Sequence, residues 1–214
     1  MEANKISLKT TAVSITAILL IEAGFRSAIV GKIVYPLAAL GFVRCLESIL
    51  LVAIVWWLDK STGAIGLSRP KMLTGFMRGL IWSACFGIAA GILFMILIAI
   101  GVNALEYLHS AKPFSWQHIV VFLIVGGVIG PIAEEIFFRG ILYGFLRQWG
   151  VVIAIIFSTL IFVFTHPMEG SIPVTQIVGG VVFAIAYEKE QNIIVPITIH
   201  CLGNLAIFSL TIFI

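Results

Sequence analysis

QHIVVFLIVGGVIGPIAEEIFFRGILYGFLRQ, residues 117–148, is the stretch on which the reading of the fold turns. From Ile119 to Ala133 it carries no charge at all, and then Glu134, Glu135 and Arg139 appear in the middle of an otherwise apolar run. As one helix it measures ~46 Å at 1.5 Å per residue, longer than the ~30 Å hydrocarbon core of a bilayer. A helix that is apolar on every side is a membrane span before it is a surface helix of a soluble domain. Within it, GGVIGP (residues 126–131) offers a kink just ahead of the acidic pair.

The rest of the chain agrees with that reading. Of 214 residues, 61% are hydrophobic and only 11% are charged, against roughly a quarter charged in a soluble domain. Apolar runs place spans near residues 10–30, 35–58, 79–102, 117–148, 150–166, 173–188 and 191–213. The expected fold is all-α, a polytopic transmembrane helical bundle of about seven spans with a buried polar active site. The first run lacks a small-residue cleavage site and reads as a span, not as a signal peptide. Residues 1–116 form N-terminal transmembrane helices and residues 117–214 a catalytic core, integrated in one bundle. The segment STGAIGLSRPKMLTGFMRG, residues 61–79, suits a loop followed by a helix lying in the interface. Spans five and six are short, so one of them is expected to tilt or re-enter. Cys45, Cys85 and Cys201 lie in apolar runs without metal-ligand spacing and read as packing residues.

Lys and Arg outside the spans set the orientation. Lys5, Lys9, Lys60, Arg69, Lys71, Arg78, Arg147 and Lys189 fall on one side, and Lys32 and Lys112 on the other. The positive-inside rule puts the N-terminus in the cytoplasm and, with seven spans, the C-terminus outside. The basic residues therefore report topology, and no phosphate loop or basic aromatic stripe points to nucleic acid.

Ionisable groups at membrane depth cost several kcal/mol, so each needs a partner or a task. Glu22 and Arg26 are four apart, Arg44 and Glu47 three apart, and Glu135 and Arg139 four apart, spacings that put opposite charges on one helix face. The pairs in the first two spans serve helix insertion and packing or bind substrate. Glu134 is left over. A carboxylate without a cation at low dielectric is a candidate proton acceptor from water. Three further polar residues share the same part of the chain: His166 closing IFVFTH, and His200 and Asn204 on one face of the last span.

Inventory removes several chemistries. An aspartyl mechanism needs two Asp, and Asp59 is the sole Asp. H-E-x-x-H and G-x-S-x-G are absent, and Cys201 would need His166 as its base. A carboxylate, two imidazoles and an amide suit water-activated amide hydrolysis. Glu134 would take a proton from a water held between it and His166, and His200 and Asn204 would donate to the oxyanion. Glu135 and Arg139 would support the helix. Glu, His and His also make a three-ligand zinc set with an open position, but that site would need another base. The metal-free, cofactor-free version is preferred.

AEEIFFRG (133–140), FVFTH (162–166) and HCLGN (200–204) resemble the EExxxR, FxxxH and HxxxN motifs of the CPBP or Abi family. That group comprises the CAAX prenyl endopeptidases and the bacteriocin-processing and self-immunity membrane proteins. The resemblance implies Glu134 as catalytic base, His166, His200 and Asn204 completing the site, and Glu135, Arg139 and Phe162 in support. It also implies an intramembrane endopeptidase acting on a membrane-embedded or lipid-anchored protein or peptide; the inferred orientation, with the site toward the outer half, favours a prokaryotic cytoplasmic membrane and processing of a C-terminal sorting helix or a secreted precursor. Two other readings stay open: a non-catalytic immunity or scaffold protein, and a proton-coupled transporter.

Overall fold

The computed structural model describes residues 6–29, 36–102, 115–166 and 173–213. Among them there are seven helices and no strand. They are α1 (Leu8–Ile29), α2 (Pro36–Asp59), α3 (Met72–Ala99), α4 (Trp116–Trp149), α5 (Val151–Phe164), α6 (Val174–Glu190) and α7 (Ile194–Phe213). Five are long and apolar enough to cross a membrane by themselves, whereas α5 spans only 14 residues and α6 only 17. The all-α, multi-pass architecture follows directly. Lys5, Lys32 and Lys112 lie outside the described residues.

The hub is α4. On one side Ile136 and Ile141 pack with Leu51 and Val55 of α2 and with Ile6. On the other, Phe138 and Leu142 meet Phe162 of α5, and Tyr143 packs with Ala154 of α5 and with Ala184 and Tyr187 of α6. Lipid is as apolar as these side chains, so helix contacts in a membrane rest on close approach and on polar locks more than on hydrophobicity. Both devices are present. Thr10 donates to Asp59 at 3.1 Å between the ends of α1 and α2. Arg147 of α4 grips Glu188 of α6 through three contacts of 2.8–3.1 Å.

The segment 61–79 differs from its expected form. Two short 3-10 turns (Thr62–Ile65 and Arg69–Lys71) lead straight into α3, which begins at Met72 and so takes in the residues expected to form a separate flat helix. Pro70 sits in the first turn, where its missing N–H leaves nothing unpaired. Ile65 is fully buried against α4, and the carbonyl of Gly66 accepts from Ile193 N at 3.3 Å. Tertiary contacts also settle where α3 starts. Asn192 donates to the Lys71 carbonyl at 2.8 Å, and Gly75 and Gly79 let α3 lie directly on Asn192 and Thr198.

A Cβ at Gly79 would stand 2.5 Å from Thr198 Cβ, so Gly79→Leu is expected to push α3 off α7. We expect a loss of ~1–3 kcal/mol, read as a lower melting temperature in detergent with the helical far-UV signal retained. Beyond Trp82 the outer part of α3 is largely exposed and, with Cys85 and with Cys45 of α2, forms lipid-facing surface. Those two cysteines are therefore not packed in the interior, as the sequence had suggested. Their side chains point out of the bundle.

Candidate active site

The kink expected at GGVIGP appears as two wide π-helical turns inside α4, Val125–Ile129 and Ile136–Tyr143, flanking a short α-helical stretch that carries Glu134 and Glu135. Proline explains the first. Gly130 N bonds back five residues to Val125 O. In that register the next carbonyl, Gly126 O, would need the N–H of residue 131, which as proline has none. Asn204 of α7 supplies the missing donor, with Nδ2 at 2.9 Å from Gly126 O. A proline in one helix is thus answered by an amide in another. This fixes α7 against α4 at the level of the acidic pair. Asn204→Ala would leave a carbonyl unsatisfied, for which we expect a stability loss of ~1–3 kcal/mol in thermal unfolding, alongside any loss of activity.

Glu135 and Arg139 pair as expected and are both completely buried, 3.0 Å apart. Arg139 also donates to the Gly180 carbonyl at 3.2 Å and lies over the rings of Phe162 and Phe183, with centroids at 4.6 and 5.2 Å. Gly180 also lets α6 lie close on α5, because a Cβ there would be 2.7 Å from Thr159 Cγ2. Phe162, named from its motif, touches Arg139, His166 and His200. Phe183 stacks on His200 with centroids 4.6 Å apart.

Each histidine has one ring nitrogen tied. His166 Nδ1 is 2.8 Å from the Phe162 carbonyl, and a carbonyl only accepts, so Nδ1 carries the proton. His200 Nδ1 is 2.8 Å from Glu135 Oε1. Sequence spacing had assigned Glu135 to Arg139 alone; in space it serves both, because an α7 residue reaches it from across the bundle. Both histidines therefore turn Nε2 toward Glu134. Glu134 Oε2 stands 3.8 Å from His166 Nε2 and 3.9 Å from His200 Nε2, and it is buried without a hydrogen-bond partner. These gaps exceed a direct hydrogen bond and match the span of one bridging water.

Zinc would sit about 2.0–2.2 Å from each donor, which holds tetrahedral ligands roughly 3.3 Å apart. Glu134 Oε2 lies 3.8 and 3.9 Å from the two Nε2 atoms, farther than that. Among the described residues, no three His, Cys, Asp or Glu side chains are grouped to hold a metal ion.

The charges of the first two helices are arranged differently from the expected local pairs. Arg44 binds Glu47 at 2.6 Å, as its spacing foretold, but it also binds Glu22 of α1 at 2.8 Å. Arg26 is exposed and has no ionic partner among the described residues. The i,i+4 rule gives which residues can meet on one helix, not which rotamer wins when a neighbouring helix offers a better-buried cation. The Gly180 carbonyl, the Phe183 stack and the Gly126 carbonyl were not named from sequence. The glycine pair 179–180, with Phe183 three residues on, was the available signal.

Residues 116–206 match the Rce1-like family, the type II CAAX prenyl endopeptidases. The chain is 29% identical over 134 residues to the membrane-embedded CAAX protease MroQ of Staphylococcus aureus (strain USA300), a match covering 56% of this chain and 54% of that protein. It is also 29% identical over 175 residues to the putative membrane peptidase YdiL of Bacillus subtilis (strain 168), covering 78% of this chain and 68% of the relative. No solved structure matches it significantly. Over residues 116–206, which carry the three motifs, the chain is similar to the CAAX-protease-like membrane proteins. The match to the Staphylococcus protein spans about half of that relative's length.

Proposed function

We propose that this protein is an intramembrane endopeptidase that hydrolyses a peptide bond of a membrane-embedded or lipid-anchored protein or peptide with water activated by Glu134. The observation that carries this reading is the orphaned Oε2 of Glu134, set 3.8 Å from His166 Nε2 and 3.9 Å from His200 Nε2. In the reaction Glu134 takes a proton from that water while His166 Nε2 accepts its other hydrogen, and the oxygen attacks the scissile carbonyl carbon. The oxyanion is met by the second N–H of Asn204 and by His200 Nε2. To donate there His200 carries both ring protons, its Nδ1–H held by Glu135, and its charge together with that of Arg139 matches the two carboxylates Glu134 and Glu135. The proton on Glu134 then passes to the leaving amine as the C–N bond breaks.

Arg139 and the rings of Phe162 and Phe183 keep the Glu135–His200 pair in place. The chemistry requires no metal. Purified protein in a strong chelator is expected to keep its activity; loss restored only by zinc would overturn the metal-free mechanism. The distribution of Lys and Arg along the sequence supports a cytoplasmic N-terminus, and on that reading substrate reaches the site from the membrane or the outer face and is cut in a C-terminal sorting or precursor segment. The test is a proteome-wide comparison of membrane and secreted protein termini in cells carrying wild type or Glu134→Gln. Termini present with wild type should vanish in the variant. If none differ, a non-catalytic peptide-binding role replaces the peptidase.

A further inference from the structure

One end of the bundle carries charge that the chemistry above does not use. Lys9, Lys60, Arg69, Lys71, Arg78 and Lys189 are all exposed there. Of the acids at the same end, Asp59 accepts from Thr10 and Glu188 is held by Arg147, which leaves Glu190 to face the rest. Glu190 sits where α3 and α6 meet. Trp82 of α3 donates Nε1–H to its Oε1 at 3.0 Å, and Arg78, one turn earlier, brings Nε only to within 4.0 Å of its Oε2. Lys189, next to Glu190 on α6, stands over the same indole with Nζ 5.8 Å from the ring centroid. Two cations thus flank one carboxylate, a local excess of positive charge. The Arg78 side chain is 59% accessible, and its guanidinium makes no hydrogen bond among the described residues, in contrast to those of Arg139 and Arg147.

An apolar strip runs from this pair into the membrane. Ile81, Cys85, Ile88 and Ile92 follow Arg78 at helical spacing on α3 and are all exposed. The rise from Arg78 to Ile88 is ~15 Å, half of a ~30 Å hydrocarbon core and so the depth of one leaflet. Trp82 marks the headgroup level, since indoles collect at the membrane–water interface. Cations at that level above an apolar strip one leaflet deep are complementary to an anionic phospholipid. Its phosphate fits the planar fork of an arginine, and its acyl chains have the strip to lie on. Soluble phosphate would leave the strip uncovered, and a zwitterionic lipid carries its own cation to compete with Arg78 and Lys189. Basic sites between spans bind anionic headgroups in this way. Trp82 also packs, with Phe86, against the cluster of Phe183, Ala186, Val195 and Ile199 that joins α3 to α6 and α7, so a headgroup held there ties these helices together and is read in the stability of the bundle.

We propose that Arg78 and Lys189 hold the headgroup of an anionic phospholipid at the junction of α3 and α6, with its acyl chains along the outer face of α3. The site is independent of the peptidase reading. Purified full-length protein in a neutral detergent is titrated with phosphatidylglycerol, phosphatidylcholine or water-soluble glycerol phosphate while its melting temperature is followed. Phosphatidylglycerol should raise it by about 4 °C more than phosphatidylcholine, and glycerol phosphate at the same concentration should not raise it. Arg78→Gln with Lys189→Gln should lose most of that difference. Lys9→Gln with Lys60→Gln removes as much charge from the same end and should keep it. Equal effects of the two lipids, a rise with glycerol phosphate, or the same response in both double variants overturns the site. Should the Arg78 and Lys189 variant fail to fold, labelling of the wild type decides. A phosphatidylglycerol with a photoreactive diazirine in its acyl chain should label α3 between Ile81 and Ile92 about threefold more than the matching phosphatidylcholine, and equal labelling overturns the site.

Discussion

Glu134→Gln is expected to lower the rate of peptide cleavage by about 10³-fold or more while the protein accumulates normally in the membrane. General-base removal accounts for ~10²–10⁴-fold, and this substitution does more than delete a base. The amide keeps the side-chain volume but turns an acceptor into an N–H₂ donor, facing His166 Nε2 and His200 Nε2 across gaps of 3.8 and 3.9 Å. It can close on one of them and displace the water the reaction needs. Stability should hardly change, because Oε2 has no hydrogen-bond partner to leave orphaned. The measurement is single-turnover cleavage of a membrane-anchored peptide, with protein amount and melting temperature determined in parallel. Activity within tenfold of wild type would remove Glu134 as the base.

Arg139→Met should have the largest effect on stability. Both members of the Glu135–Arg139 pair are completely buried, and breaking a buried pair by removing one partner costs ~3–5 kcal/mol because the remaining charge is stranded. The variant is expected to melt much lower in detergent and to be poorly retained in the membrane. The double variant Glu135→Gln with Arg139→Met removes the stranded charge and should recover most of that loss. Catalysis should not recover. His200 Nδ1 would face an amide in place of a carboxylate, and losing such a supporting contact typically costs 10–100-fold by analogy with the outer partners of metal-bound histidines. A double variant as unstable as the single one would show that the pair is not what Arg139 contributes.

Much of this site could be read along the chain because its chemistry is written in unusual residues. Few charges occur in the spans, so each one that does is conspicuous, and pairing by helix turn isolated Glu134 without any knowledge of the neighbours. Glu135 and Arg139 were paired correctly since both lie on one helix and nothing else competes for the guanidinium charge. The same rule failed for Glu22. Its i+4 partner Arg26 faces outward, while Arg44 on the adjacent helix offers a cation already fixed by Glu47. Short-range spacing limits which contacts one helix can make, and packing of two helices chooses among them.

The sequence by itself determined that the chain is a helical membrane bundle, since 61% hydrophobic residues and long uncharged runs admit little else. It also singled out the polar residues that the bundle brings together around Glu134, and indicated that Pro131 would disturb α4. Only the tertiary structure decided what the disturbance is for: the carbonyl that Pro131 cannot pair is taken by Asn204, 78 residues further on. It likewise decided that Glu135 turns His200 toward Glu134, and that α3 begins at Met72 on Asn192. Each of these is a contact between helices far apart in the chain. A periodic pattern specifies which face of a helix is polar, but the partner of a polar atom is fixed by the close approach that glycines such as Gly79 and Gly180 allow.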